Sequence, residues 1–186
     1  AASDVYKRQE PDREDFFLPG SGTDADKSWI FCTPDTIGKV HHGTNGLMIR
    51  RSVVEACGRR FPGGLVCEDM YFHYVTYPFC KRASIVREPL YVYRKRAGSI
   101  TEEFTSGYSL KSLDYVKVAL LILEAWKEDG LIEEYRTAFL KMLVMSVRNV
   151  RKYAPHSEQK DVTRTVCRVP VSYTHLRAHE TTANLV

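Results

Sequence analysis

Apolar positions recur every three or four residues over two long stretches, Tyr108 to Asp129 and Leu131 to Tyr153, and this spacing predicts two amphipathic helices. Leu120, Leu121 and Leu123 fall on the apolar face of the first, and Leu140, Leu143 and Val147 on that of the second. Gly130 alone separates them, so short a connection that the helices should run antiparallel. Upstream the periods shorten. "GLMIR", Gly46 to Arg50, reads as a strand leading into a short helix, "SVVEACG". Ser52 and Glu55 there have capping-box spacing, and Gly58 can end the helix in a left-handed conformation. "FPGG" is a turn. From Glu68 to about Tyr77, aromatic residues at mixed helical spacings predict another helix, limited by Pro78. "ASIVRE" and "LYVYRKR" alternate around Glu88-Pro89 as two short strands or one bent strand would, and "AGSIT" reads as a turn. Residues 10–43 read as loop with the apolar islands "FFL" and "WIF".

Composition narrows the class. At 186 residues, 44% hydrophobic and 27% charged, the chain can bury a core. A formal charge of +4 with scattered basic residues does not require a nucleic-acid partner, and none is expected. The five cysteines form no CxxC pair and no zinc-type spacing, which favours a reducing compartment. No signal peptide is recognisable, and the run from Val118, "VALLILEAW", is too short for a bilayer. A cytoplasmic protein, at most touching the inner face of the membrane, is expected. The ends have a different texture: "AASDVYKRQ" and "VSYTHLRAHETTANLV" resemble peptides translated from sequencing-adapter DNA. Residues 1–9 and 168–186 are therefore expected to be a non-native leader and tail on a piece of a longer protein.

Two constellations could carry chemistry. Glu68 and Asp69 are adjacent acids at a predicted helix start. They can act as structural acids at the positive end of the helix dipole, or as a general base that deprotonates a hydroxyl nucleophile. The second is "LYVYRKRAGSIT", where a strand ends in Arg94, Lys95 and Arg96 and turns through Gly98-Ser99. Guanidinium groups beside free backbone N–H groups suit a phosphate, while a solvated strand end has the same composition.

In order along the chain, "GLMIRRSVVEACGRRFPGGLVCEDMYFHY" and then "KRASIVREPLYVYRKRAGSIT" resemble the C-terminal half of the catalytic domain of family-2 glycosyltransferases, over about residues 44–101. The resemblance implies an α/β fold: a partial GT-A-type (Rossmann-like) catalytic domain, residues 10–107 forming its acceptor side, followed by a helical region, residues 108–167. It implies an inverting transfer from a nucleotide-sugar donor to an acceptor hydroxyl, free or lipid-linked, in bacterial cell-surface polysaccharide or glycolipid synthesis. Asp69 would be the general base, with Glu68 in an acceptor or orienting role. One base suffices for a single displacement, unlike the two separated carboxyls of a glycosidase. Arg94, Arg96 and Ser99 would contact the diphosphate or the acceptor.

The same resemblance implies Mg²⁺ or Mn²⁺ held by an Asp-x-Asp after an apolar strand. Asp24-x-Asp26 in "TDADKSW" follows "LPGSG" instead and reads as a loop. The metal ligands and the nucleotide-binding half are thus expected to lie outside this segment, which alone would be inactive. His41-His42 read as loop residues near a cleft and His73 as a packed histidine. "KMLVMSVRNVRKY", Lys141 to Tyr153, is apolar with a basic end and suits an anionic membrane surface or a partner helix. The competing reading is a non-catalytic α/β interaction module in which Glu68 and Asp69 only cap a helix.

Overall fold

A computed structural model describes residues 5–8, 29–84, 91–105 and 110–160. In chain order its elements are β1 (Val5–Arg8), β2 (Trp29–Phe31), α1 (Arg51–Cys57), α2 (Glu68–Thr76), β3 (Arg82–Ser84), β4 (Val92–Lys95), α3 (Ile100–Thr105), α4 (Asp114–Glu128) and α5 (Ile132–Tyr153). Residues 156–160 add a further helical turn.

The helix pair follows the hydrophobic period in part: of the expected stripe Leu123 and Leu143 are buried and Leu120 and Val147 half-buried, while Leu121 and Leu140 sit at its edges and are exposed. Gly130, at φ 69°, turns the chain between α4 and α5, and Trp126 packs at 5.1 Å ring-centroid distance from Tyr135 and 6.3 Å from Phe139. The helix α2 lies against α4, so Met70, Tyr74, Val118, Ile122, Trp126 and Met142 share one core. None of these six side chains is more than slightly exposed, and together they supply the main apolar burial of the molecule.

The second half of α2 is buried on nearly every side, from Phe72 to Thr76. Its last carbonyls therefore need donors away from water. Tyr74 would ordinarily receive the N–H of the residue four positions on, but that residue is Pro78, which has none. The Trp126 indole Nε1–H donates to the Tyr74 carbonyl instead, at 3.1 Å. Cys57 donates its thiol to the Val75 carbonyl at 3.3 Å, and Cys80 its thiol to that of Thr76 at 3.6 Å.

The expected α/β architecture is not found. Helices dominate, and the described strands form two separate two-stranded antiparallel ladders, β1 with β4 and β2 with β3. Trp29 pairs with Ser84 and Phe31 with Arg82 in one; Val5 pairs with Lys95 and Arg8 with Val92 in the other. A Rossmann-like sheet needs parallel strands joined by helical crossovers and covered on both faces. These strands are three or four residues long and antiparallel, which rules out that arrangement among the described residues. "GLMIR" is no strand: Thr44–Gly46 is a 3₁₀ turn, the chain to Arg50 is irregular, and Met48 is fully exposed. With no neighbouring strand to pair with, an apolar run of this length stays extended coil. The segment expected to be a foreign leader supplies β1, whereas "FFL" and Glu88-Pro89 lie outside the described residues.

The start of α1 also differs. Its N-cap is Arg50, Ser52 lies inside the helix, and Glu55 pairs with Arg51 Nε at 2.6 Å. Its end is as expected: Gly58, at φ 67°, donates its N–H to the Val54 carbonyl. Among the described residues no helix is long and apolar enough to cross a membrane.

Trp126→Phe keeps the aromatic bulk but leaves the buried Tyr74 carbonyl without its donor, so urea unfolding should show about 2 kcal/mol lost. Adding Pro78→Ala returns an N–H four residues beyond Tyr74 and should recover part of that loss. Equal stability of wild type and Trp126→Phe would show that the indole bond contributes nothing.

Candidate functional site

The segment between α1 and α2 is pinned to both ends of α4. The Arg59 guanidinium spans the Asp129 carboxylate at 2.8 and 3.3 Å, meets Glu128 at 3.0 Å and donates to the Ala125 carbonyl at 3.1 Å. These acceptors hold Arg59 charged, its pKa raised chiefly by Asp129. At the other end of α4, Asp114 is buried in the first turn, accepting from Val66 N–H at 3.0 Å and pairing with Lys117 Nζ at 2.7 Å. The chain then enters α2 through Cys67, the one described non-glycine residue in the left-handed region, at φ 68°. A left-handed non-glycine residue costs on the order of 1 kcal/mol, so the surrounding packing must hold it there.

This entry sets the first turn of α2. Glu68 is exposed and Asp69 half-buried, both at the positive end of the helix dipole. Asp69 Oδ1 accepts the Met70 N–H at 2.8 Å, and Met70 N–H also meets the Cys67 carbonyl at 3.1 Å. Beyond the carboxylate lies the His41-His42 loop. Burial lowers the His42 pKa, and the Asp69 charge acts against that by favouring the imidazolium. The His41 and His42 rings stack with centroids 5.2 Å apart, and His41 Nδ1 accepts the Gly43 N–H at 2.9 Å. On the other flank, burial pushes the Cys67 thiol up to about 12, with the Asp69 and Glu68 charges adding to the rise. Tyr115 from α4 hydrogen-bonds that sulfur. A half-buried carboxylate whose charge acts on a nearby imidazole can accept a proton from a hydroxyl placed beside it.

His73, one helical turn after Asp69, is the packed histidine that the sequence indicates. Only 4% exposed, it hydrogen-bonds the Ile37 carbonyl through Nε2 at 3.1 Å, and burial lowers its pKa to about 4. Its neutral ring ties α2 to the loop that carries His41 and His42.

The arginine turn has a different local structure from the one expected. "AGSIT" is the entrance to α3: Ser99 Oγ accepts the Glu102 N–H at 3.2 Å, and the Glu102 carboxylate accepts the Gly98 N–H. Ser99 is thus a helix cap whose own hydroxyl hydrogen remains for another partner. Arg96 is exposed, and the side chain of Arg94 lies outside the described residues. Among the described residues, no hydrogen bond or ion pair joins Arg96 or Ser99 to Glu68 or Asp69, and β4 packs on β1 while α2 packs on α4 and α1.

No group of three His, Cys, Asp or Glu side chains among the described residues could hold a metal ion, and Asp24 and Asp26 lie outside them. The described site therefore does not fit the Mg²⁺ or Mn²⁺ that the resemblance implies, and no chemical step can be drawn through one here. Arg59 carries no local signal in the sequence, and Asp114 carries only that of an acid in a helix's first turn. Comparison with known proteins gives no match: no family model, curated protein or solved structure aligns with the chain.

The pKa of His73 is lower in the fold than in the unfolded chain, where it is near 6.5. Below that pH the unfolded chain binds the extra proton first, so this contribution is complete above about 6.5 and declines as pH falls towards 4. Urea midpoints should fall over that window, and His73→Gln, which keeps a donor for the Ile37 carbonyl, should flatten the decline, leaving the slope due to His42. An unchanged slope in His73→Gln would show that His73 does not govern acid stability.

Proposed function

We propose that this chain is the acceptor-side part of an inverting glycosyltransferase, in which Asp69 takes the proton of an acceptor hydroxyl as that oxygen attacks the anomeric carbon of a nucleotide sugar. The observation that carries this reading is the half-buried Asp69 carboxylate in the first turn of α2, beside His42 and held by the pinned segment 59–67. It gains support from the ordered resemblance of "RFPGGLVCED" and "PLYVYRKRAGSIT" to the family-2 enzymes, and it does not depend on a Rossmann-like frame within the described residues. In this reading Glu68, exposed on the same turn, meets the acceptor, and Arg96 with the free hydrogen of Ser99 meets the donor diphosphate. The acceptor would belong to cell-surface polysaccharide or glycolipid synthesis at the cytoplasmic face of the membrane, with the basic, apolar end of α5 making a peripheral contact. The donor half and its divalent ion belong to residues beyond those described.

A specific observation favours the other reading, a module without catalysis: Asp69 Oδ1 already serves a helix N–H, as a structural acid would. Asp69→Asn separates the two, since the amide oxygen can still accept that N–H but cannot act as a base at neutral pH. In the protein that carries this segment together with its donor half, Asp69→Asn should lower sugar transfer by about 10²–10⁴-fold and leave the melting temperature and donor binding nearly unchanged. Turnover equal to wild type would refute the base assignment and leave the helix-capping reading.

A further inference from the structure

Cys32 and Cys80 meet where the β2–β3 ladder joins the end of α2. Cys32 N–H donates to the Lys81 carbonyl at 3.1 Å, extending the ladder one step past the Phe31–Arg82 pair. The chain bends at Lys81, and Cys80, the residue before it, has its thiol on the Thr76 carbonyl and within reach of the Cys32 sulfur. The Tyr77 hydroxyl reaches both the Cys32 sulfur and Thr36 Oγ1, the latter at 2.9 Å. Both cysteines are free and half-buried, so a small reagent can reach them. The other titratable groups facing the pair are Tyr135 from α5 and Cys57 from α1, neither of which carries charge at neutral pH.

We propose that Cys32 and Cys80 form a reversible dithiol–disulfide site that exchanges with low-molecular-weight disulfides of the glutathione type. Thiols on adjacent steps at the end of one ladder can reach the S–S bond of about 2.05 Å by side-chain rotation. A Cys32 thiolate can draw the Cys80 and Tyr77 hydrogens away from their acceptors on Thr76 and Thr36, which lowers its pKa to about 7, whereas the same bond to Cys32 raises that of Cys80. The order of events follows from this asymmetry. The Cys32 thiolate attacks one sulfur of the small disulfide, an S–S bond breaks, and one small thiolate leaves and takes up the Cys32 proton. Cys80, losing its proton to solvent, then attacks Cys32 Sγ and expels the second small thiolate, which is protonated in turn. Two electrons pass from the protein to the reagent, and the products are one protein disulfide and two small thiols. The bond closes a covalent loop around His41, His42, Asp69 and the segment that positions them, and the proposal does not rest on the glycosyl-transfer reading.

The test is incubation of the folded chain with glutathione disulfide, followed by intact mass and peptide mapping. The expected product lacks two hydrogens, yields a linked Cys32–Cys80 peptide and reverts with dithiothreitol. Cys80→Ser should stop at a glutathione adduct on Cys32, while Cys32→Ser should leave Cys80 unmodified. In the reduced protein, iodoacetamide should alkylate Cys32 at least about tenfold faster than Cys80 at neutral pH. The proposal is overturned by a wild-type map without the Cys32–Cys80 peptide, by linkage to Cys57, Cys67 or Cys167 instead, or by an adduct on Cys80 rather than Cys32. If a serine variant does not fold, the wild-type map alone decides.

Discussion

The packing of this molecule depends on a missing N–H group. Pro78 ends α2 without a donor for the Tyr74 carbonyl, in a place from which water is excluded, and Trp126 supplies one from α4. An indole can do this only if the helix that carries it lies at one distance and one rotation from α2. The polar requirement therefore orients the apolar contact, which by itself tolerates sliding. The tyrosine and phenylalanine rings around Trp126 then fix α5 in turn. Two thiols complete the same helix end, so Cys57 and Cys80 are positioned by backbone carbonyls before any chemistry of their own is considered.

From that junction α4 acts as a ruler for the acid pair. Its final turn holds Arg59 and its first turn holds Val66 through Asp114, fixing both ends of the segment that leads to Cys67. The span of α4, about 1.5 Å per residue, thus sets how far the chain must travel before α2 begins. The left-handed Cys67 makes the turn into α2, and the Asp69 charge in the turn that follows acts on His42. The placement of one carboxylate follows from contacts made at opposite ends of a helix to which it does not belong.

The parts legible in the sequence are those written in local periods. The helix pair around Gly130, the left-handed close of α1 at Gly58 and the acids opening α2 each depend on residues within a turn of one another. "GLMIR" stays irregular because five apolar-rich residues become a strand only beside a partner, and the described residues offer it none. The capping-box spacing at Ser52 and Glu55 does not cap a helix, because Arg51 takes the glutamate; the same spacing operates at Ser99 and Glu102, within a segment whose composition is that of a plain turn. The α/β fold implied by the family resemblance fails for a related reason, since short motifs carry no information about which strands will pair. Asp114 and Arg59 reach partners far along the chain, and such pairings leave no local trace.

The Glu102 carboxylate on the Gly98 N–H gives the arginine turn an internal competitor. A tethered group acts at an effective concentration of millimolar order, so any free anion of similar charge is displaced at every lower concentration. The donor diphosphate of the proposed function would win by offering more than one negative oxygen, one for the backbone and others for Arg96. Under the proposed function, preference for a diphosphate over simple carboxylates would then arise from the occupant of the seat rather than from its shape.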